Sequence, residues 1–288
     1  MIELLALALM RAQVAAAFGV VLVLLLRLPL RRLFGPRLAY WLWAIAPAAA
    51  IASLFPSLSE SLEIGATASP LAPDAALKVV AVWLAGAGVF AGFVAWRERA
   101  FRRLVERGEA GPAVMGALWP RLVLPADFED RFSARERELI LLHERTHIRR
   151  GDPMANLIVA GCRVLGWFNP MVHLGAAFLR IDQELACDAS VLALRTGIRS
   201  DYARALLKVS MVGSSSPLAC GWGTHPLILR VGFVGRTEPS RRREIVGFLA
   251  VTAFTLATVA GVWMLAPRGF DQHAFAPDAL YAARPGLN

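Results

Sequence analysis

His143 and His147 stand four residues apart with Glu144 beside the first, in the stretch LLHERTHIRRGD at 141–152. On an α-helix, residues i and i+4 share one face, so both imidazoles can reach the same ion. Glu144 is then close enough to act on a water held by that ion without being a ligand. The chemistry that fits is metal-assisted hydrolysis, the use made of the H-E-x-x-H pattern in zinc peptidases. Two histidines paired to carboxylates on a surface helix would be the plainer interpretation, but it leaves the acidic pair downstream without a role.

A catalytic zinc usually takes three protein ligands and keeps a fourth position for water. The best third donor lies in RIDQELACDASVL, 180–192, where Glu184 is followed four residues later by Asp188 on the same helical face. One of the two can bind the metal while the other hydrogen-bonds the far nitrogen of a ligating histidine. Asp182 competes for the role of ligand but faces away from that side of the helix. Cys187 is the only nearby thiol that could close the fourth position and make the site structural.

These residues need helices to hold them. Ser133 and Glu136 form an S-x-x-E capping box, predicting a helix that runs through both histidines until Gly151 and Pro153 stop it. A second helix is predicted over Pro153–Gly166, a turn at Asn169-Pro170, and a long third helix from Pro170 to about Arg195, with a further short one starting at Asp201. Upstream, GPAVMGALWPRLVLP at 111–125 is punctuated by Gly and Pro and predicts short extended pieces.

The rest of the chain is too apolar for an ordinary soluble domain: 57% of its 288 residues are hydrophobic and 18% charged. Four segments could cross a bilayer, about 4–26, 38–55, 79–96 and 245–266. The first contains Arg11, and with Glu3 near the start in place of a basic cluster it is not expected to be a cleaved signal peptide. RLPLRRLFGPR at 27–37 and RERAFRRLVER at 97–107 are arginine-rich and should stay cytoplasmic, whereas the loop 56–77 carries acids and no base before Lys78. The N-terminus is then outside. The chain divides into three spans within 1–96, a cytoplasmic working domain at 97–244, a fourth span at 245–266 and a short external tail at 267–288. Leu157 to Leu179 is apolar enough to suggest a fifth span. A crossing there would separate His147 from Glu184, and Arg163, Asn169-Pro170 and His173 interrupt it, so it is read as two helices partly sunk in the interface.

The net charge of +9 comes almost wholly from arginine, Lys78 and Lys208 being the only lysines. Its placement beside the spans assigns it mostly to topology and contact with the lipid bilayer, and no motif for direct nucleic-acid binding is present. Cys162, Cys187 and Cys220 are an odd number without C-x-x-C spacing, which argues against a disulfide framework and suits a reduced compartment.

In order and spacing, GPAVMGALWPRLVLP, HERTHIRRGD, WFNPMVHL and ELACD resemble the BlaR/MecR peptidase family of membrane-bound, gluzincin-type zinc endopeptidases, over about Leu38 to Leu207. The resemblance implies a mainly α, multi-span protein of about four transmembrane helices, with a cytoplasmic gluzincin-like zinc peptidase domain containing a few short strands. It implies one Zn2+ per chain, with His143, His147 and Glu184 as ligands, Glu144 as general base and later acid, and Asp188 at the family's second acidic position. The AVMGALWPRLVLP block resembles the stretch flanking the cleft, where substrate could add as an extended strand. The implied setting is the bacterial inner membrane and transmembrane signalling. The implied partner is a cytoplasmic protein substrate such as a DNA-binding repressor, or the chain itself within 213–243, and a homodimer is compatible. Well-known members carry a penicillin-binding sensor domain after the last span, whereas residues 267–288 follow it here, so β-lactam binding is not expected of this sequence. The alternatives are a quality-control protease resembling the HtpX and CAAX-prenyl protease types, and a non-catalytic membrane receptor that keeps the zinc helix for structure.

Overall fold

The protein is described from a computed structural model, which covers residues 1–55, 72–210, 220–221, 227–236 and 239–265. Most of the acidic loop at 56–77, much of 213–243 and the whole of 267–288 lie outside the described residues.

Among the described residues, three helices are long and apolar enough to cross a membrane: α1 (Ile2–Phe34), α4 (Pro73–Glu106) and α11 (Arg241–Leu265). Segment 38–55 differs from the single span expected of it. It is divided into α2 (Pro36–Trp41), a 3₁₀ turn (Leu42–Ala44) and α3 (Ile45–Ala52). Pro47 supplies the reason, because it has no N–H to bond the carbonyl of Trp43 and its ring crowds that carbonyl.

The strands are short, as their Gly and Pro punctuation predicts. β1 (Ala113–Met115) pairs antiparallel with β2 (Arg121–Val123), and on its other edge with β3 (Cys220–Gly221), in the order β2-β1-β3. Both edges of β1 are therefore taken, and an added strand would have to use β2 or replace β3.

The helices after the strands follow the capping signals closely. After α5 (Phe128–Arg131), α6 (Ala134–Arg150) starts at a complete capping box: the Glu136 amide donates to Ser133 Oγ and the Ser133 amide to the Glu136 carboxylate. It ends at Gly151 in the left-handed region, φ 72°, a conformation only glycine adopts at little cost. Next come α7 (Asp152–Leu165) and α8 (Pro170–Leu194), the latter capped by Asn169, then α9 (Arg199–Ser210) and α10 (Leu227–Val234). The apolar faces of α6, α8, α9 and α10 close on one core containing Leu139, Ile140, Val191, Tyr202, Leu206 and Val234. Each fully buried aliphatic side chain there contributes about 1.5–3 kcal/mol.

α8 also packs along α1 in the same direction. Asn169 Nδ2 donates to Gln13, Gly175 lies against Val20, Leu179 shares a core with Val23, and Asp182 meets Arg27. At the last contact, Asp182 is wholly buried and accepts from Arg27, Arg31 and the Trp43 indole at 2.9–3.2 Å. Arg27 and Arg31 are thus 4% and 9% exposed, which corrects their assignment to lipid contact: two of the basic residues hold α1 to the helix that carries Glu184. Asp182→Ala leaves both guanidiniums buried without their acceptor and should cost about 3–5 kcal/mol. A thermal unfolding midpoint in detergent that matched wild type would refute this role.

Candidate metal centre

His143 and His147 project from the same face of α6, with their rings nearly perpendicular at 86°. Their Nε2 atoms stand 3.0 Å apart. Glu184, from α8, faces the pair with one oxygen toward each: Oε2 is 3.5 Å from His143 Nε2 and Oε1 is 3.5 Å from His147 Nε2. All three side chains are buried. Residues 37 positions apart are therefore brought together.

The far sides of both rings fix their tautomers. His147 Nδ1 is 2.7 Å from Asp152 Oδ2, and an ionised carboxylate only accepts, so Nδ1 carries the proton. His143 Nδ1 is 2.8 Å from the Tyr202 hydroxyl, which donates its own proton to Asp188 Oδ1 at 2.7 Å. His143 Nδ1 is then also the donor, which leaves the His143 Nε2 lone pair facing His147 Nε2. Burial, above all, lowers His143 to about 4, which keeps the ring neutral. A cation held between the two Nε2 atoms and the Glu184 carboxylate would be stabilised by all three groups. Nitrogens bound to a tetrahedral zinc at about 2.0–2.1 Å would stand about 3.3 Å apart, close to the observed separation. The donor set fits such an ion.

Glu144 lies in the same buried layer, and neither of its carboxyl oxygens has a hydrogen-bond partner among the described residues. That desolvation pushes it up to about 8. A cation nearby would act in the opposite direction, favouring the carboxylate that a general base requires.

Glu184 behaves differently. Burial alone would raise its pKa, but Arg230, His147 and His143 outweigh that and hold it well below the usual carboxylate range. Arg230, from α10, is 2% exposed; its Nη1 is 3.1 Å from Glu184 Oε2, while Nε and Nη2 grip Asp188 at 2.8 and 2.7 Å. Asp188 thus reaches His143 chiefly through Tyr202, its direct separation from Nδ1 being 3.5 Å. Asp182 is turned to α1 and takes no part.

Sequence reasoning left Asp152, Tyr202 and Arg230 unassigned. Asp152 had a signal: it follows His147 by five residues, just past the Gly151 stop, where the chain turns back toward the histidine. Tyr202 and Arg230 had none, because nothing local ties α9 and α10 to the metal face. Removing the orienting carboxylate with Asp152→Ala should weaken metal affinity about 10–100-fold. Titration against a competing chelator would measure it, and an unchanged affinity would argue against the orienting role.

His143, His147 and Cys187 also form a cluster with ligand atoms within 4.8 Å of one another. The Cys187 sulfur, however, lies 3.6 Å from His143 Nδ1 and 3.6 Å from the His143 carbonyl, on the side of the ring occupied by Tyr202. Burial raises its thiol to about 11. The Nε2 atoms of both histidines face Glu184, whereas the thiol contacts Nδ1 and the carbonyl of His143.

The sequence profile of the family described as BlaR1 peptidase M56 matches residues 7–78 and 66–234. The chain is 31% identical over 102 residues to the regulatory protein BlaR1 of Bacillus licheniformis, covering 35% of this chain and 17% of that protein. It is 30% identical over 149 residues to the methicillin resistance mecR1 protein of Staphylococcus aureus strain Mu50, covering 48% and 25%. The mecR1 protein of Staphylococcus epidermidis matches to the same extent. The chain spans a quarter or less of the length of these relatives.

Proposed function

Because the chain belongs to the BlaR1 peptidase M56 family, we propose that it is a membrane-bound zinc endopeptidase of transmembrane signalling, cutting a cytoplasmic protein such as a DNA-binding repressor, itself, or both. Its strongest support is the pair of Nε2 atoms 3.0 Å apart with a Glu184 oxygen 3.5 Å from each. Zinc bound there would supply a Lewis acid for the scissile carbonyl and lower the pKa of a bound water toward 7.

The protein's own groups do the remaining work. Glu144 takes the proton from the attacking water and delivers it to the leaving amine. Asp152 fixes the orientation and tautomer of His147, and Tyr202 with Asp188 does the same for His143. Arg230 holds Glu184 ionised and aligned. The orientation proposed has the N-terminus outside and 97–244 cytoplasmic, with 38–55 completing four crossings in the plasma membrane of a bacterial cell.

Sequencing the fragments produced on co-expression with candidate substrates tests this reading. One clean cut in a repressor, lost in a Glu144 variant, supports signalling, whereas many cuts in misfolded membrane proteins would point to quality control. A non-catalytic role would need Cys187 as a closing ligand. Cys187→Ala is therefore expected to keep one zinc per chain by elemental analysis, and its loss would favour the structural site.

A further inference from the structure

We propose that residues 152–182 form a re-entrant hairpin, entering and leaving the bilayer on the cytoplasmic side, with its tip at Gly166–Asn169 deep in the hydrocarbon and its outer face against lipid acyl chains. The proposal rests on α1 and α4 crossing a bilayer with Arg27 and Arg97 near the same face. It does not depend on peptidase activity.

The depth is read from both spans. At the tip, Asn169 bonds Gln13 of α1. Trp83 of α4 donates to the Leu165 carbonyl at 2.8 Å, and Trp167 donates to the Trp83 carbonyl at 3.2 Å. Gln13 and Trp83 each stand 14 residues before the arginine that marks the cytoplasmic end of their span, Arg27 and Arg97. At 1.5 Å per residue that is about 21 Å, well past the middle of a hydrocarbon layer about 30 Å thick. The two spans also keep a common register toward the other face, where Ala6, Ala76 and Val80 share a small core. Both rulers therefore place the tip at one level. Trp167 sits so close to Gly86 that a Cβ there would fall 2.1 Å from the indole, so the tip is fitted to α4 and not merely near it.

Surface composition points the same way. From residue 152 to residue 180 every exposed position is apolar: Met154, Leu157, Ile158, Gly161, Leu165, Phe168, Pro170, Leu174 and Ala177. Arg163 and His173, the charged or titratable groups nearest the tip, turn toward protein partners. Arg163 donates to His173 and lies over the Phe90 ring, and His173 Nε2 meets the Trp167 carbonyl at 2.8 Å. That combination is what lipid demands, since unsatisfied polar groups in hydrocarbon cost several kcal/mol each. α9 instead exposes a mixed surface of Ser200, Arg204, Leu207 and Lys208. The return arm of the hairpin leaves the bilayer beside Arg27 at Asp182, two residues before Glu184, which puts the metal centre at the membrane boundary.

Spin labels give the test. Single cysteines at Leu157, Ile158, Leu165, Phe168 and Leu174 would be introduced into the full chain carrying Cys162→Ala and Cys220→Ala, with buried Cys187 left in place. All five positions are surface-exposed, so a label need not enter the core, and the five-point profile does not hang on one variant. In phosphatidylcholine vesicles, collision with oxygen should exceed collision with a water-soluble nickel chelate several-fold at Leu165 and Phe168, matching a label at Val82 of α4. Leu157 should be shallower, and Arg204 should show the reverse ratio. Equal shallow depths at Leu157 and Phe168 would mean helices lying flat on the surface, and nickel access at Leu165 and Phe168 equal to that at Arg204 would mean a hairpin in water. Either result overturns the proposal while leaving the metal-site assignment standing.

Discussion

Replacing Glu144 with glutamine is expected to reduce cleavage by about 10²–10⁴-fold, the range contributed by a positioned general acid–base group, while zinc content stays at one per chain. The carboxylate is wholly buried, neither oxygen has a hydrogen-bond partner among the described residues, and it stands in the same layer as His147 and Glu184. A group kept for structure would have a partner, since an unpaired buried carboxyl is costly. Glutamine has nearly the same shape and cannot take a proton from water, so the substitution separates proton transfer from packing. The readouts are fragment yield from a co-expressed substrate and zinc per chain, measured on the same preparation. Cleavage at the wild-type rate would remove Glu144 from the mechanism. Loss of zinc together with activity would make it a ligand in place of a base.

His147→Ala should abolish both zinc retention and cleavage, a larger effect than the 10–100-fold expected from disturbing an orienting partner. The variant removes one of three candidate donors and also deprives Asp152 of its 2.7 Å contact, leaving that buried carboxylate with Arg150 and Tyr40. Since an altered fold could mimic the loss, the thermal unfolding of the zinc-free wild type and variant should be compared; similar midpoints assign the loss to ligation. Zinc retained by the variant would sink the ligand set, and zinc retained only while Cys187 is present would move the site to the thiol side of His143.

Much of this was legible along the chain because the signals are local. The capping box at Ser133 and Glu136, the left-handed stop at Gly151 and the Asn169-Pro170 start act within one helical turn, and α6, α7 and α8 begin and end within a few residues of where they predict. The four-residue spacings of His143 with His147 and of Glu184 with Asp188 put each pair on one face whatever the fold. The division of 38–55 was also written locally, in Pro47, but hydropathy averaged over a span does not see a single missing donor.

By itself, then, the sequence determined the helices, the metal-facing residues on them and the apolar character of the spans, because helix periodicity, caps and hydropathy are properties of neighbouring residues. Only the tertiary structure decided what stands behind those residues. It brought Tyr202 to His143 and Arg230 to Glu184 across 59 and 46 positions, turned Asp182 away to bind Arg27 and Arg31, and laid α8 along α1. Those outcomes depend on which buried charges find partners once the helices pack, a competition among distant groups that no local pattern records.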